Sequence, residues 1–296
     1  MMLKKYITKI ERKAMKCYLK LRFDLTNNKE LVNTQYNWKV YKYYKKKYKK
    51  FISSYKVKNS NHEFSNIVWW CWLQGENNAP DLCKANLNAL RKNLRNRKIV
   101  VITNKNLSNY IDIPEYIIKK YHKGIISNAH FSDIIRLELL IKYGGTWIDA
   151  SVLCTKMNED FFDKPLFMFE NFLKEDKSIV ASNWFITSEK NNPILLLTRD
   201  LLYDYWKKNN FLINYFIFHI FFTLATEKYS DLWKNVHNFS NVPPHILQFE
   251  VLEKFSEKRW NEICKQSEIH KLTQKVKLND NMKDSYYNYI INTYLW

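Results

Sequence analysis

Glycine is nearly absent from this chain, with four residues in 296, and proline contributes only six. A sequence so poor in both carries no Gly/Ser-rich or Pro-rich linker, and no internal repeat marks a second unit. The five cysteines, Cys17, Cys71, Cys83, Cys154 and Cys264, are odd in number, and none form a C-x-x-C pair. That excludes a disulfide framework or a zinc cluster and fits a reducing compartment. Long apolar runs are also lacking. The most apolar segment, "FLINYFIFHIFFTLA" (211–225), is interrupted by Asn214 and His219 and is too short for a membrane span, so a buried core helix is expected. The first twenty residues lack the uninterrupted apolar stretch of a signal peptide. Acids are in short supply as well: 29 Asp and Glu stand against 48 Lys and Arg, a formal net charge of +19.

What is present argues for a folded globular protein, with 46% hydrophobic and 16% aromatic residues. The length allows one large domain or two smaller ones. The charge points to an anionic partner: nucleic acid, an acidic membrane surface or a phosphorylated substrate. Abundant Asn, Lys, Ile and Tyr leave composition drift as the other reading. Residues 1–60 read as a basic helical extension. Within it, "KVYKYYKKKYKKFISSYKVK" (39–58) holds nine lysines and no acid. It is either a solvated helical face or a surface that rests on anionic lipid. Nucleic acid is the least favoured partner, since zinc-finger spacing and RNP-like aromatics are missing. The boundary near residue 60 rests on the polar turn "NSNHE".

From residue 66 strands and helices alternate. "NIVWWCW" (66–72) and "KIVVITN" (98–104) read as buried strands. A helix is expected to begin near Pro80, capped by Asn78 or Ala79, and "PEYIIKKYHKG" (114–124) reads as a helix closed by Gly124. The pattern predicts an α/β fold with parallel βα units and a doubly wound sheet. Ser127 or Asn128 can cap a further helix running to Tyr143. Gly144 then supplies a left-handed C-terminal residue, and Gly145 lets the chain turn closely into the strand "TWI". Asp149 falls at the carboxyl end of that strand, where open α/β sheets bind ligands. An acid there can hold a divalent metal, accept hydrogen bonds from ribose, act in acid–base chemistry, or simply cap the next turn. Asp133 and Arg136, three apart on one helix, read equally as an ion pair.

The run "SDIIRLELLIKYGGTWIDASV" resembles the S-D-x-x-R…Y-G-G-x-W/Y-x-D segment of GT-A glycosyltransferases, more narrowly the capsular polysaccharide synthesis proteins grouped with the D-x-D-containing family 32 enzymes. "IVWWCWLQGENNAPDLCKANLNALRKNL" and "IVVITNKNLSNYIDIPEYIIKKYHKGIISNAHFSD" extend the resemblance over about residues 66–155. "NWFITSEKNNPIL", "YDYWKKNNFLINYFIFH" and "NVPPHILQ" are similar more weakly. The resemblance implies a GT-A-like (Rossmann-like), mostly parallel sheet flanked by helices, with a helical N-terminal extension and a helical C-terminal elaboration. It divides residues 61–296 into a nucleotide-binding half, about 66–155, and an acceptor half, about 156–296.

The same resemblance implies the roles. Trp69 to Gly75, with Trp72 and Gln74 among them, would line the nucleotide edge. Asp133 and Arg136 would meet the donor sugar and its phosphates, Arg through its bidentate fork. Tyr143, Gly144, Gly145, Asp149 and Ser151 complete the donor-contacting set, and Asp133, Arg136 and Asp149 carry the chemistry. Asp149 is the first acid of a D-x-D motif whose second acid is replaced by Ser151, a weaker metal ligand. A Mn²⁺ or Mg²⁺ ion would therefore be held by Asp149, the donor diphosphate and His219 or His245. The implied reaction is a hexosyl-type transfer, with retention at the sugar carbon, from a nucleotide-sugar donor to a growing cell-surface or capsular glycan or its lipid-linked precursor. Acceptor contacts are expected near "FEN" (169–171) and "SNWF" (182–185). The expected location is the cytoplasm, peripheral on the inner face of the cell membrane. The other readings are a non-catalytic nucleotide-sugar or glycan-binding protein on the same fold, and a basic membrane- or nucleic-acid-binding module.

Overall fold

The computed structural model describes residues 13–14, 17–18, 28–57, 63–156, 158–171, 176–237, 239–276 and 284–295. Helices α1 (Lys29–Lys47) and α2 (Lys49–Ser54) come first. Then follow β1 (Ile67–Cys71), α3 (Asp81–Asn93), β2 (Lys98–Ile102), α4 (Glu115–His122), α5 (Asn128–Tyr143) and β3 (Gly145–Ile148). The second half contains β4 (Val152–Cys154), β5 (Leu166–Glu170), β6 (Ala181–Ser188), α6 (Pro193–Lys208) and α7 (Ile217–Lys228). It closes with α8 (Val242–Glu250), α9 (Glu257–Gln266), β7 (Ile269–Lys271) and α10 (Tyr286–Tyr294).

The central sheet has the order β2-β1-β3-β6-β5. β1 pairs in parallel with β2 and β3, while β6 runs antiparallel to both β3 and β5. Four of the five strands therefore point one way, and the sheet is α/β and mostly parallel, as expected. The one strand that departs from the parallel direction is β6. Its reversal brings its first residues to the edge where β1 and β3 end: Ile148 faces Phe185, and the Asp149 amide donates to the Trp184 carbonyl at 2.9 Å. A two-stranded ladder, β4 with β7, stands apart from the sheet.

Alternation along the strands sorts side chains to two faces. Trp69 and Trp147 join a core with α5, α6 and α7, whereas Val68, Trp70 and Ile148 join one with α3 and Phe161. The segment read as a core helix is α7, buried along most of its length. Among the described residues no helix is long and apolar enough to cross a membrane.

The helix expected near Pro80 starts at Asp81, with Pro80 itself in the N-cap position and neither Asn78 nor Ala79 capping it. Ser127 caps α5 by accepting from the His130 amide, as read. Gly144 and Gly145 take φ of +66° and +91°. A Cβ on Gly145 would lie 2.3 Å from the Ile67 carbonyl oxygen, so only glycine lets β3 pair this closely with β1.

Over residues 29–54 the N-terminal extension is helical, as expected, and it packs into the main core. Tyr36, Val40, Tyr41, Tyr44 and Tyr48 belong to the main core. Tyr44 packs edge-on against Phe221, its ring centroid 5.2 Å away, and the Tyr48 hydroxyl donates to Asp204 at 2.8 Å. A period-3.6 stripe of tyrosines thus buries one face of α1, while Lys46, Lys49 and Lys50 stay exposed on the other face and on α2. Most of residues 1–27 and residues 58–62 of the boundary turn lie outside the described residues.

Candidate active site

A cleft of about 640 Å³ opens where β1 and β3 end. Its walls come from six places in the chain: Trp72 and Gln74 after β1, the first half of α5, Asp149 to Ser151 after β3, Ser182 to Trp184 at the start of β6, Tyr215 to His219, and β7 with the residues that follow it. His245 and Gln248 of α8 complete the rim.

The floor is a charged network. Asp133 is buried on α5, one turn into the helix. Its Oδ1 accepts from Asn183 Nδ2 at 2.8 Å and lies 3.4 Å from Arg136 Nη1; its Oδ2 lies 3.3 Å from His130 Nδ1. Burial alone would raise its pKa, but Arg136 and His130 hold the carboxyl below the usual aspartate value. Arg136 Nη1 donates to the Asn183 carbonyl at 2.6 Å, and Nη2 donates to Ser132 Oγ at 3.2 Å and to Asp149 Oδ1 at 3.3 Å. The guanidinium also lies over the Trp147 ring, 5.0 Å from its centroid. Trp147 Nε1 in turn donates to Asp149 Oδ1 at 2.8 Å.

The other oxygen of Asp149 faces Lys271 of β7, 3.8 Å away. The Lys271 ammonium donates to Ser151 Oγ. Burial lowers the pKa of this ammonium, and Asp149 opposes the shift. Strand pairing fixes the contact: Val152 stands opposite Lys271, and the Leu272 amide donates to the Ser151 carbonyl at 2.8 Å.

His219 faces the cleft from α7, where burial pushes its imidazole down to about 4 against the pull of Asp133. His245 Nδ1 sits 2.5 Å from the Asn241 carbonyl, and burial lowers its pKa too. Cys71 lines the cleft, but burial pushes its thiol up to about 12, so no thiolate nucleophile is available there. Trp72, His130, Arg136, Trp184 and His219 each leave a buried nitrogen without a hydrogen-bond partner. Such orphans are uncommon in folded proteins, and five of them line this cleft.

Asp133, Arg136, Asp149, Ser151, Trp72, Gln74, His219 and His245 are therefore brought to one cleft. Five expected donor contacts are not. Trp69 is fully buried, and its indole donates to the Gly144 carbonyl at 2.9 Å, because alternation turns it to the opposite face from Trp70. Tyr143, Gly144 and Gly145 sit at the start of β3, the end of the strand away from Asp149; Tyr143 donates to the Tyr110 carbonyl at 2.8 Å. Gly75 lies just beyond the wall, in the turn after Gln74 with φ +96°. "SNWF" contributes Ser182, Asn183 and Trp184 to the cleft, but none of "FEN" reaches it. Arg136 was expected to grip phosphate, yet both its terminal nitrogens are engaged by the protein.

Lys271, His130 and Tyr215 line the site without having been singled out in the sequence, and Asn183 enters it from the "SNWF" segment. His130 had a detectable signal, three residues before Asp133 on the same helix face. Lys271 had none, since its partners Asp149 and Ser151 are more than a hundred residues away.

A divalent ion of the kind the resemblance implies does not fit these donors. Among the described residues Asp133 and Asp149 are the only carboxylates lining the cleft, and both are already held by cations or N–H donors. Among the described residues no three His, Cys, Asp or Glu side chains are grouped to hold a metal ion.

Residues 21–290 match the model of a family described as capsular polysaccharide synthesis protein. O-glycosyltransferase braB of Annulohypoxylon truncatum is 27% identical over 156 residues, 47% of this chain and 37% of that protein. The chain thus spans little more than a third of the length of this curated relative. Among solved structures, PaToxG Glycosyltransferase aligns over 80% of this chain and 94% of that one, at 16% identity and a TM-score of 0.38.

Proposed function

Because the chain belongs to the capsular polysaccharide synthesis protein family, we propose that it is a glycosyltransferase of GT-A type, moving a sugar from a nucleotide-sugar donor to a growing surface glycan. The observation that carries the reading is Asp149, fixed by Trp147 and Arg136 at the carboxyl end of β3, in a cleft of about 640 Å³. That volume is in the range that encloses a small organic ligand, and the strand end is where such sheets bind nucleotides.

The division of labour follows from the contacts. Asp149 accepts hydrogen bonds from ribose or sugar hydroxyls. Arg136 acts through it as a positioning group, since its terminal nitrogens donate to Asp149, Ser132 and the Asn183 carbonyl and only its buried Nε is left without a partner. The N-terminus of α5 puts Asn128 and Ala129 in the wall, where the positive end of the helix dipole favours an anion. Transfer breaks the bond between the sugar carbon and the phosphate oxygen, which keeps the electron pair, and joins the carbon to an acceptor oxygen. With retention, attack and departure share one face, so the departing phosphate oxygen is in reach of the acceptor's proton. Tyr215, 62% exposed beside His130, offers an aromatic platform for an acceptor sugar at the mouth. The lysines of α1 and α2 would rest the enzyme on an anionic membrane that carries a lipid-linked acceptor.

A panel of nucleotide sugars tests this. At least one should raise the melting point and be converted to its nucleoside diphosphate. A protein that neither shifts with nor turns over any donor, with glycan acceptors present, is not a transferase of this type.

A further inference from the structure

The charged residues around Asp149 show how a diphosphate would be met. A metal that uses the D-x-D position needs two acids facing one ion. Here Ser151 stands at the second position, and its hydroxyl already accepts from the Lys271 ammonium. An ion placed on Asp149 Oδ2 at the usual distance of ~2.0–2.6 Å would lie against that ammonium, 3.8 Å from the same oxygen. It would also face Arg136, 3.3 Å from the other oxygen. Two fixed positive charges thus crowd the seat. Asp133 offers no alternative, because Asn183, Arg136 and His130 surround its carboxylate.

We infer that Lys271, and not a divalent cation, supplies the positive charge that meets the donor's diphosphate, so this chain binds nucleoside diphosphates without metal. The inference rests on the transferase reading above. An ammonium has three N–H donors; one is given to Ser151 Oγ and one points toward Asp149, which leaves one for a phosphate oxygen. The Lys271 side chain is 19% exposed, and the residue lies in the cleft wall. The ladder between β4 and β7 holds its backbone, so the charge is built in and not carried on a loose loop. Lys275, exposed on the same rim, and the N-terminus of α5 add positive potential around it. Arg136 is turned toward the protein instead, its two terminal nitrogens donating to the Asn183 carbonyl, Ser132 and Asp149 and only the buried Nε left over.

The test is calorimetry on the full chain with uridine, guanosine, adenosine and cytidine diphosphates, first in excess EDTA and then with Mn²⁺ or Mg²⁺. At least one should bind in EDTA, with a Kd that the metal changes by less than about threefold. Lys271→Met should weaken that binding by about tenfold or more, the loss expected for one charge-assisted hydrogen bond. Lys271→Arg, which keeps the charge, should recover part of it; melting points establish that both variants fold. Binding seen only after Mn²⁺ or Mg²⁺ is added overturns the inference and leaves the transferase reading standing. Undiminished binding by folded Lys271→Met also overturns it. Binding of no nucleoside diphosphate under either condition overturns the transferase reading, and the inference falls with it.

Discussion

Asp149 has its carboxylate between an indole, a guanidinium and an ammonium. Asp149→Asn keeps the shape and removes the charge, so turnover should fall at least ~100-fold, comparable to losing one preorganised electrostatic group. Near-normal turnover in the folded variant would take Asp149 out of the mechanism. Arg136→Met should act on stability as well, by leaving Asp133 buried with its main counter-charge gone; the expected loss is ~3–5 kcal/mol in a denaturant titration. His270 gives a pH signature. It is fully buried, its Nδ1 has no partner, and burial pushes its pKa down to about 4. In the unfolded chain histidine titrates near ~6.5, so between that pH and about 4 the unfolded state takes up a proton that the folded state refuses. Stability contributed by neutral His270 is complete above pH ~6.5 and lost on acidification, by up to ~3 kcal/mol. Urea melts at several pH values should show a flatter slope for His270→Phe; an unchanged slope would assign the acid sensitivity elsewhere. Asp133, Arg136 and Asp149 were legible in the sequence because a helix, a tight turn and a short strand place them within seventeen residues of chain. Lys271 was not legible, because nothing local announces a partner across a ladder.

At the scale of elements, the two glycines before β3 do structural work that sequence alone presented as both turn and donor contact. The turn is there, but the glycines do not line the cleft, because the turn lies at one end of a four-residue strand and the cleft at the other. Gly145→Ala should cost roughly 2–4 kcal/mol, from the left-handed backbone and the clash with the Ile67 carbonyl together, and thermal melts would read it directly. A cost under ~1 kcal/mol would mean that β1 and β3 can separate cheaply. The parallel part of the sheet was legible from apolar runs alternating with capped helices. The reversal of β6 was not: period-2 burial looks the same in either direction, and no tight hairpin links β5 to β6. That reversal brings "SNWF" to the cleft edge; "FEN" ends on the same edge, with Glu170 beside Ala181, but on the outermost strand, and does not line the cleft.

For the whole molecule, the excess of +19 charges and the Tyr-rich start of the chain must be considered together. Deleting residues 1–54 would strip Tyr36, Val40, Tyr41, Tyr44 and Tyr48 from the main core, so the truncated chain should lose cooperative melting. Reversing charge at Lys46, Lys49 and Lys50 leaves that core intact. If these lysines meet lipid, the triple Lys→Glu variant should keep its melting point and lose salt-sensitive binding to anionic vesicles. Wild-type protein that ignores such vesicles at low salt would leave the lysines as a solvated face. The Lys271–Ser151 contact joins residues 120 apart in the chain. Closing so long a loop costs entropy before any contact repays it, which places the β4–β7 ladder late in folding. A diphosphate held by Lys271 would then steady a part of the protein that forms after the rate-limiting barrier. In stopped-flow experiments it should lengthen the lifetime of the folded state and leave the speed of folding unchanged.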